Sequence, residues 1–277
     1  MSKNRRNYGK MPLTKGIEMA SVYSVKECGH RARHIVLSPE NKMITSEFLK
    51  IIDMKDKFVI HDVPVPNKIM MFGPPGTGKT LTAFHLAHQL ELPLVTVRLD
   101  ALIHAHLGET GSNVRRIFEY ARLEPCVLFM DEFDAVARTR DNNDEVKEMA
   151  RVVNTLLQCL DEFPEHCIFI AATNLETELD NAIWRRFDTK MVYGNPAAEL
   201  RLEYIRRLCD EFPCESGLHD WASQKMEGCS YADMEQIILK AKRKAIIDDT
   251  LLSRLLIELS IQEYRPYHLI AAAHNEI

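Results

Sequence analysis

The sequence predicts an α/β fold, a parallel sheet sandwiched by helices and followed by a small all-helical domain, on three observations. Short apolar runs of strand length, at 69–72, 94–97, 127–130 and 168–171, alternate with segments of helical period. The runs are apolar enough to be strands covered on both faces. After the run at 190–193 no further buried strand occurs, and the remainder reads as helices.

Residues 1–26 carry basic side chains, Gly9, Pro12 and Gly16 without a sustained apolar period, which predicts a flexible basic arm. Between 44 and 58, Ile44, Phe48, Ile51 and Ile52 share one face of a short helix. Pro64 and Pro66 end it and set up an extended approach to the first strand. A helix from about Ser112 buries Val114, Ile117, Phe118 and Ala121, and another spans 146–160. The expected domains are therefore the arm at 1–26, an α/β domain at 27–193 and a helical domain at 194–277. Within the last, Ser230 and Asp233 form a capping box ahead of a stripe of Met234, Ile237, Ile238, Ala241 and Ala245.

At 277 residues, 46% hydrophobic and 27% charged, the composition is that of a globular protein. No apolar run approaches the about 20 residues of a membrane span, and no signal-type segment follows the basic start, so a cytoplasmic protein is expected. A net charge of −5 argues against nucleic acid as a partner of the whole chain. The seven cysteines form no Cys-x-x-Cys pair and read as ordinary reduced thiols.

The chemistry concentrates at strand ends. The run 69–72 leads into Gly73, Pro74, Pro75, Gly76, Thr77, Gly78, Lys79 and Thr80, with Leu81 opening a helix, which is the context of a phosphate-binding loop. Glycines let backbone N–H groups turn toward phosphates, Lys79 meets the β- and γ-phosphates of ATP, and the Thr80 hydroxyl binds magnesium. The run 127–130 ends in Asp131 and Glu132: Asp131 would hold the metal and Glu132 would deprotonate the attacking water.

Together these motifs resemble the AAA+ ATPases, specifically the AAA family proper, from about Ile69 to Ala245. The resemblance implies that the C-terminal helical domain is a lid and that Asn174 is the first sensor of the γ-phosphate. It further implies that Arg185 and Arg186 are arginine fingers reaching the nucleotide of a neighbouring subunit. By resemblance the active form is a homo-oligomeric ring, a hexamer. His106 and Leu107 fall where that family carries its first substrate-gripping pore loop, with His106 at the aromatic position, and 137–148 falls where it carries a second. Gly228 to Met234 resembles the nucleotide-facing Gly-Ala-Asp-Leu motif, which brings Ala232 to the nucleotide and puts Tyr231 in place of a glycine. The segment 34–37 stands where adenine contacts are expected.

The reading is a magnesium-dependent ATPase that remodels or unfolds a protein substrate. The alternative is an ATP-controlled switch or scaffold that recruits an effector, such as a protease or nuclease, without threading. A third, a DNA-directed ATPase, draws only on the basic arm.

Overall fold

The computed structural model describes residues 13–14, 17–98, 110–137, 145–175, 177, 179–264 and 266. By their contacts these fall into two compact units, one within 1–33, 41–73 and 79–192, the other within 34–40, 74–78 and 193–277.

In chain order the elements up to 192 are β1 (Leu13–Thr14), β2 (Ile17–Glu18), β3 (Ala20–Tyr23), α1 (Val25–Arg31), α2 (Pro39–Asp53), α3 (Lys55–Ile60), β4 (Lys68–Phe72), α4 (Lys79–Gln89), β5 (Leu94–Val97), α5 (Thr110–Ala121), β6 (Val127–Met130), α6 (Asp134–Ala137), α7 (Glu145–Asp161), β7 (Ile168–Thr173), α8 (Asn181–Trp184) and β8 (Thr189–Val192). β1 and β2 pair with each other, and the main sheet runs β3-β5-β6-β7-β4-β8. Every pair in it is parallel except β3 with β5 at the edge. All residues of β6 and β7 are buried, which is why their sequences show no alternation. Because β4, β6 and β7 are parallel neighbours, their carboxyl ends emerge side by side, where α/β sheets place their ligands.

The expected flexible arm is corrected at its end. Ala20–Tyr23 pairs antiparallel with β5 in the register Ala20 to Val97, and Met19 O accepts from Arg98 N at 2.8 Å. The ladder supplies what this short, weakly apolar segment cannot declare alone: partners for its backbone groups.

Phe118, Phe133, Phe163, Phe169 and Phe187 form the aromatic centre of the core, mostly in edge-to-face pairs. Phe133 and Phe187 both pack on Phe169, at 6.0 and 5.8 Å between centroids. Phe133 directly follows Glu132 and Phe187 directly follows Arg186, so one aromatic group anchors both segments of chemical interest.

The second unit holds α9 (Ala198–Leu208), α10 (Leu218–Lys225), α11 (Tyr231–Ile247) and α12 (Arg254–Tyr264). The capping box of α11 is present: Ser230 Oγ accepts from Asp233 N at 3.2 Å while Asp233 accepts from Ser230 N at 2.9 Å. The whole stripe of Met234, Ile237, Ile238, Ala241 and Ala245 is buried. Arg201 is also buried, its guanidinium donating to the Ser223 and Pro196 carbonyls at 3.0 and 2.9 Å. Those bonds offset part of the cost of burying its charge. No helix among the described residues is long and apolar enough to cross a membrane.

Candidate active site

The first unit brings four of the expected residues together at the ends of β4, β6 and β7. Lys79, the first residue of α4, is nearly buried and donates to Gly73 O at 2.6 Å and to Asn174 Oδ1 at 2.7 Å. Both of these acceptors are uncharged oxygens that orient the ammonium. One residue on, Thr80 Oγ1 donates to Asp131 Oδ2 at 2.6 Å. These two residues are 51 positions apart in sequence, and parallel packing makes them neighbours.

Glu132 is exposed, with φ 50°, in the left-handed region that L-residues other than Asn, Asp and Gly seldom occupy. Two bonds hold it there: its own N–H donates to Asp131 Oδ1 at 3.0 Å, and Phe133 N donates to Ala172 O at 2.8 Å. The strain turns the chain sharply after β6, so that Phe133 enters the core and the Glu132 carboxylate faces solvent.

Asn174 is supported by a pair not singled out from sequence. Thr173 Oγ1 donates to Asp134 Oδ1 at 2.7 Å and accepts from Leu175 N at 3.0 Å, and Thr173 O accepts from Gly73 N at 3.3 Å. Thr173 thus links the end of β7 to both the glycine loop and the segment after Asp131. The available signal was a hydroxyl residue directly before Asn174 and a second acid three positions after Asp131.

In the second unit, Pro74–Gly78 lies against the start of α11. Ala232 N donates to Gly76 O at 3.1 Å, and Thr77 Oγ1 closes the loop on Pro74 O at 2.7 Å. Gly76 has φ +73°, and a Cβ there would sit 2.7 Å from Ser230 Oγ and 3.0 Å from the Ala232 Cβ. Both its conformation and its space require glycine. Gly73 and Gly78 also have positive φ, 135° and 100°. Tyr231, standing where a glycine was expected, stacks edge-on against Tyr204 at 4.8 Å between centroids and is buried. Residue 35 is fixed by Arg207, whose Nη1 donates to Ile35 O at 2.6 Å.

The two arginines differ. Arg186 is clamped within the chain, Nε and Nη2 donating to the two carboxylate oxygens of Asp161 at 2.6 and 2.9 Å and Nη1 to Ala182 O at 2.9 Å. The guanidinium holds the Asp161 carboxyl below its usual range, and Asp161 raises Arg186 in return. Arg185 is exposed and its side chain makes no ion pair or hydrogen bond to a described residue. His106 and Leu107 lie outside the described residues, as does 138–144 of the second expected loop.

The donors fit the groups that the motifs imply. Thr80 and Asp131 present only hard oxygens, few in number, which suits magnesium because that ion keeps several waters. Within the first unit, Gly73 at positive φ and the oriented Lys79 ammonium have the chemistry that suits a polyphosphate.

Residues 69–195 match the model of the ATPase family associated with various cellular activities (AAA). An uncharacterized AAA family ATPase of Sinorhizobium fredii is 42% identical over 79% of this chain and 66% of its own. A Methanocaldococcus jannaschii protein described as a 26S proteasome regulatory subunit homolog is 33% identical over 66% of this chain and 51% of its own. The peroxisomal ATPase pex6 of Schizosaccharomyces pombe is 34% identical over 71% of this chain and 22% of its own. The chain thus spans about two thirds of the first relative, half of the second and less of the third. With the strand-end motifs assembled and the family model covering them, this chain belongs to the AAA family of ATPases.

Proposed function

We propose that the chain hydrolyses ATP with magnesium, in a homo-oligomeric ring, and spends the cycle on remodelling or unfolding a protein substrate. The observation that carries the hydrolytic reading is the pair of contacts Lys79 to Asn174 and Thr80 to Asp131, formed across β4, β6 and β7.

Bound magnesium would draw charge from the phosphate oxygens and orient them. Thr80 and Asp131 would hold that ion. Lys79 would exchange its carbonyl and amide partners for phosphate oxygens. Asn174, released from Lys79, would orient the attacking water, and Glu132 would take its proton. Arg185 and Arg186 of a neighbouring copy would stabilise charge on the transferred phosphoryl group, Arg186 only after leaving Asp161. The remodelling reading rests on family membership and on the proteasomal and peroxisomal names of two relatives.

Purified protein with ATP and magnesium should release phosphate, and Glu132→Gln should retain nucleotide while losing turnover. Equal turnover in the two proteins would remove the proposed general base. Stimulation of turnover by an unfolded protein substrate, lost in His106→Ala, supports threading. Stimulation that survives His106→Ala favours the switch that recruits an effector.

A further inference from the structure

The α9–α10 corner of the second unit contains a cluster outside the ATP chemistry. Cys209, Cys214 and His219 each offer a donor atom, and the three atoms lie within 4.8 Å of one another. We propose that this corner is a binding site for a zinc-class divalent ion, held by two thiolates and one imidazole.

Each donor stands on a separately fixed piece of backbone. Cys209 caps α9, its N–H donating to Ile205 O at 2.9 Å. Cys214 forms a bridge with the buried Leu252, which donates to Pro213 O and accepts from Glu215 N, both at 2.9 Å. His219 sits in the first turn of α10, after the left-handed Gly217. Little ordering therefore remains to be done when an ion arrives. Donors about 2.0–2.3 Å from a tetrahedral zinc ion lie roughly 3.5 Å apart, so only a small closing movement is needed.

A second observation points to a ligand. His219 Nε2 is buried and has no hydrogen-bond partner among the described residues. A buried, unsatisfied polar atom in a native fold asks for an explanation, and a bound ion is one. Cys209 is buried while Cys214 and His219 are half-buried, which leaves an approach from solvent. Cys126 and Cys167, the other neighbouring thiols, are both fully inside the core and have no histidine in a comparable cluster among the described residues.

Two thiols and an imidazole favour zinc or its thiophilic relatives over magnesium or calcium. On binding, each thiol loses its proton to solvent and the two thiolate charges match those of the ion, with water completing the shell. The Lys242 ammonium, held by Leu208 O and 4.8 Å from the Phe212 ring centroid, places a further positive charge near the sulfurs. The bound ion would tie the end of α9 to the start of α10.

The test is titration of the reduced full-length chain with cobalt(II) as the spectroscopic stand-in for zinc. Thiolate-to-cobalt charge-transfer absorption saturating at one ion per chain, and bleached by zinc, is expected. Cys214→Ser and His219→Asn should each weaken binding by at least about tenfold, the loss that even an outer-shell change can bring. Absent charge transfer in the reduced wild type, or an undiminished signal in the Cys209→Ser/Cys214→Ser double variant, would overturn the proposal. If these variants do not fold, the wild type still decides. Zinc should slow alkylation of Cys214, read by peptide mass, and equal rates with and without zinc would overturn it. Finding Cys209 and Cys214 joined as a disulfide that excludes zinc even after reductant treatment would overturn it as well.

Discussion

The ends of β4, β6 and β7 and the turn after α8 both carry expected catalytic residues, yet they stand in opposite states. At the strand ends, Lys79, Asn174, Thr80 and Asp131 satisfy one another within the chain. At the turn, Arg186 is occupied by Asp161 and Arg185 is exposed without such a partner. The difference teaches that the contacts among Lys79, Asn174, Thr80 and Asp131 are organised by this chain's own sheet, and under the proposed function the two arginines would serve a neighbouring copy. An exposed guanidinium two residues from a buried Phe187 anchor is well placed to act on something outside the chain.

Breaking the strand-end set should have the largest effect. Glu132→Gln is expected to lower turnover by about a hundred- to ten-thousand-fold with nucleotide still retained, as assayed by phosphate release and by a fluorescent ATP analogue. Arg185→Ala should lower turnover by about a thousandfold, and its melting temperature should stay at the wild-type value because the side chain makes no ion pair or hydrogen bond to a described residue. A large drop in melting temperature would place Arg185 in the structure rather than in catalysis. Phe187→Ala attacks the shared anchor of both regions and should cost about 3–5 kcal/mol in denaturant unfolding. Ser230→Ala, which removes the α11 cap beside Gly76, should cost about 1 kcal/mol.

The smallest effect sharpens the contrast by pH. Asp161 has a lowered folded pKa, so its contribution to stability is present above the ordinary carboxylate range and is lost as pH falls through the folded value. The pair is partly exposed, and screening keeps its contribution to about 1 kcal/mol or less. Asp161→Asn should remove that acid-dependent step from the stability profile, and an unchanged profile would locate the titration elsewhere.

Much of the sheet was legible because its central strands are buried on both faces and therefore apolar without interruption. Observed β5 and β6 coincide with the expected runs at 94–97 and 127–130. Ala20–Tyr23 escaped because an edge strand, only partly buried, owes its conformation to pairing with β5 rather than to its own pattern. That Lys79, Thr80 and Asp131 would stand near one another was expected from the strand-end motifs, and Asn174 from the family resemblance; the contacts Lys79 to Asn174 and Thr80 to Asp131 bring them together. The links from Thr173 to Asp134 and from Arg186 to Asp161 were not, since they join residues 39 and 25 positions apart whose meeting depends on the packed sheet. Cys209, Cys214 and His219 likewise match no short metal-binding spacing, and only the folded α9–α10 corner gathers them.

The most direct test of the central claim, that this chain supplies binding and water activation while a neighbour supplies the arginine, is complementation between two inactive variants. Glu132→Gln and Arg185→Ala chains are dissociated, mixed in equal amounts and reassembled, and ATP turnover is measured beside each variant alone. The account predicts recovery to roughly a quarter of wild-type turnover, the chance that an intact Glu132 meets an intact Arg185 across a symmetric interface. Turnover no greater than the average of the two separate variants, with mixed assembly verified, would contradict it.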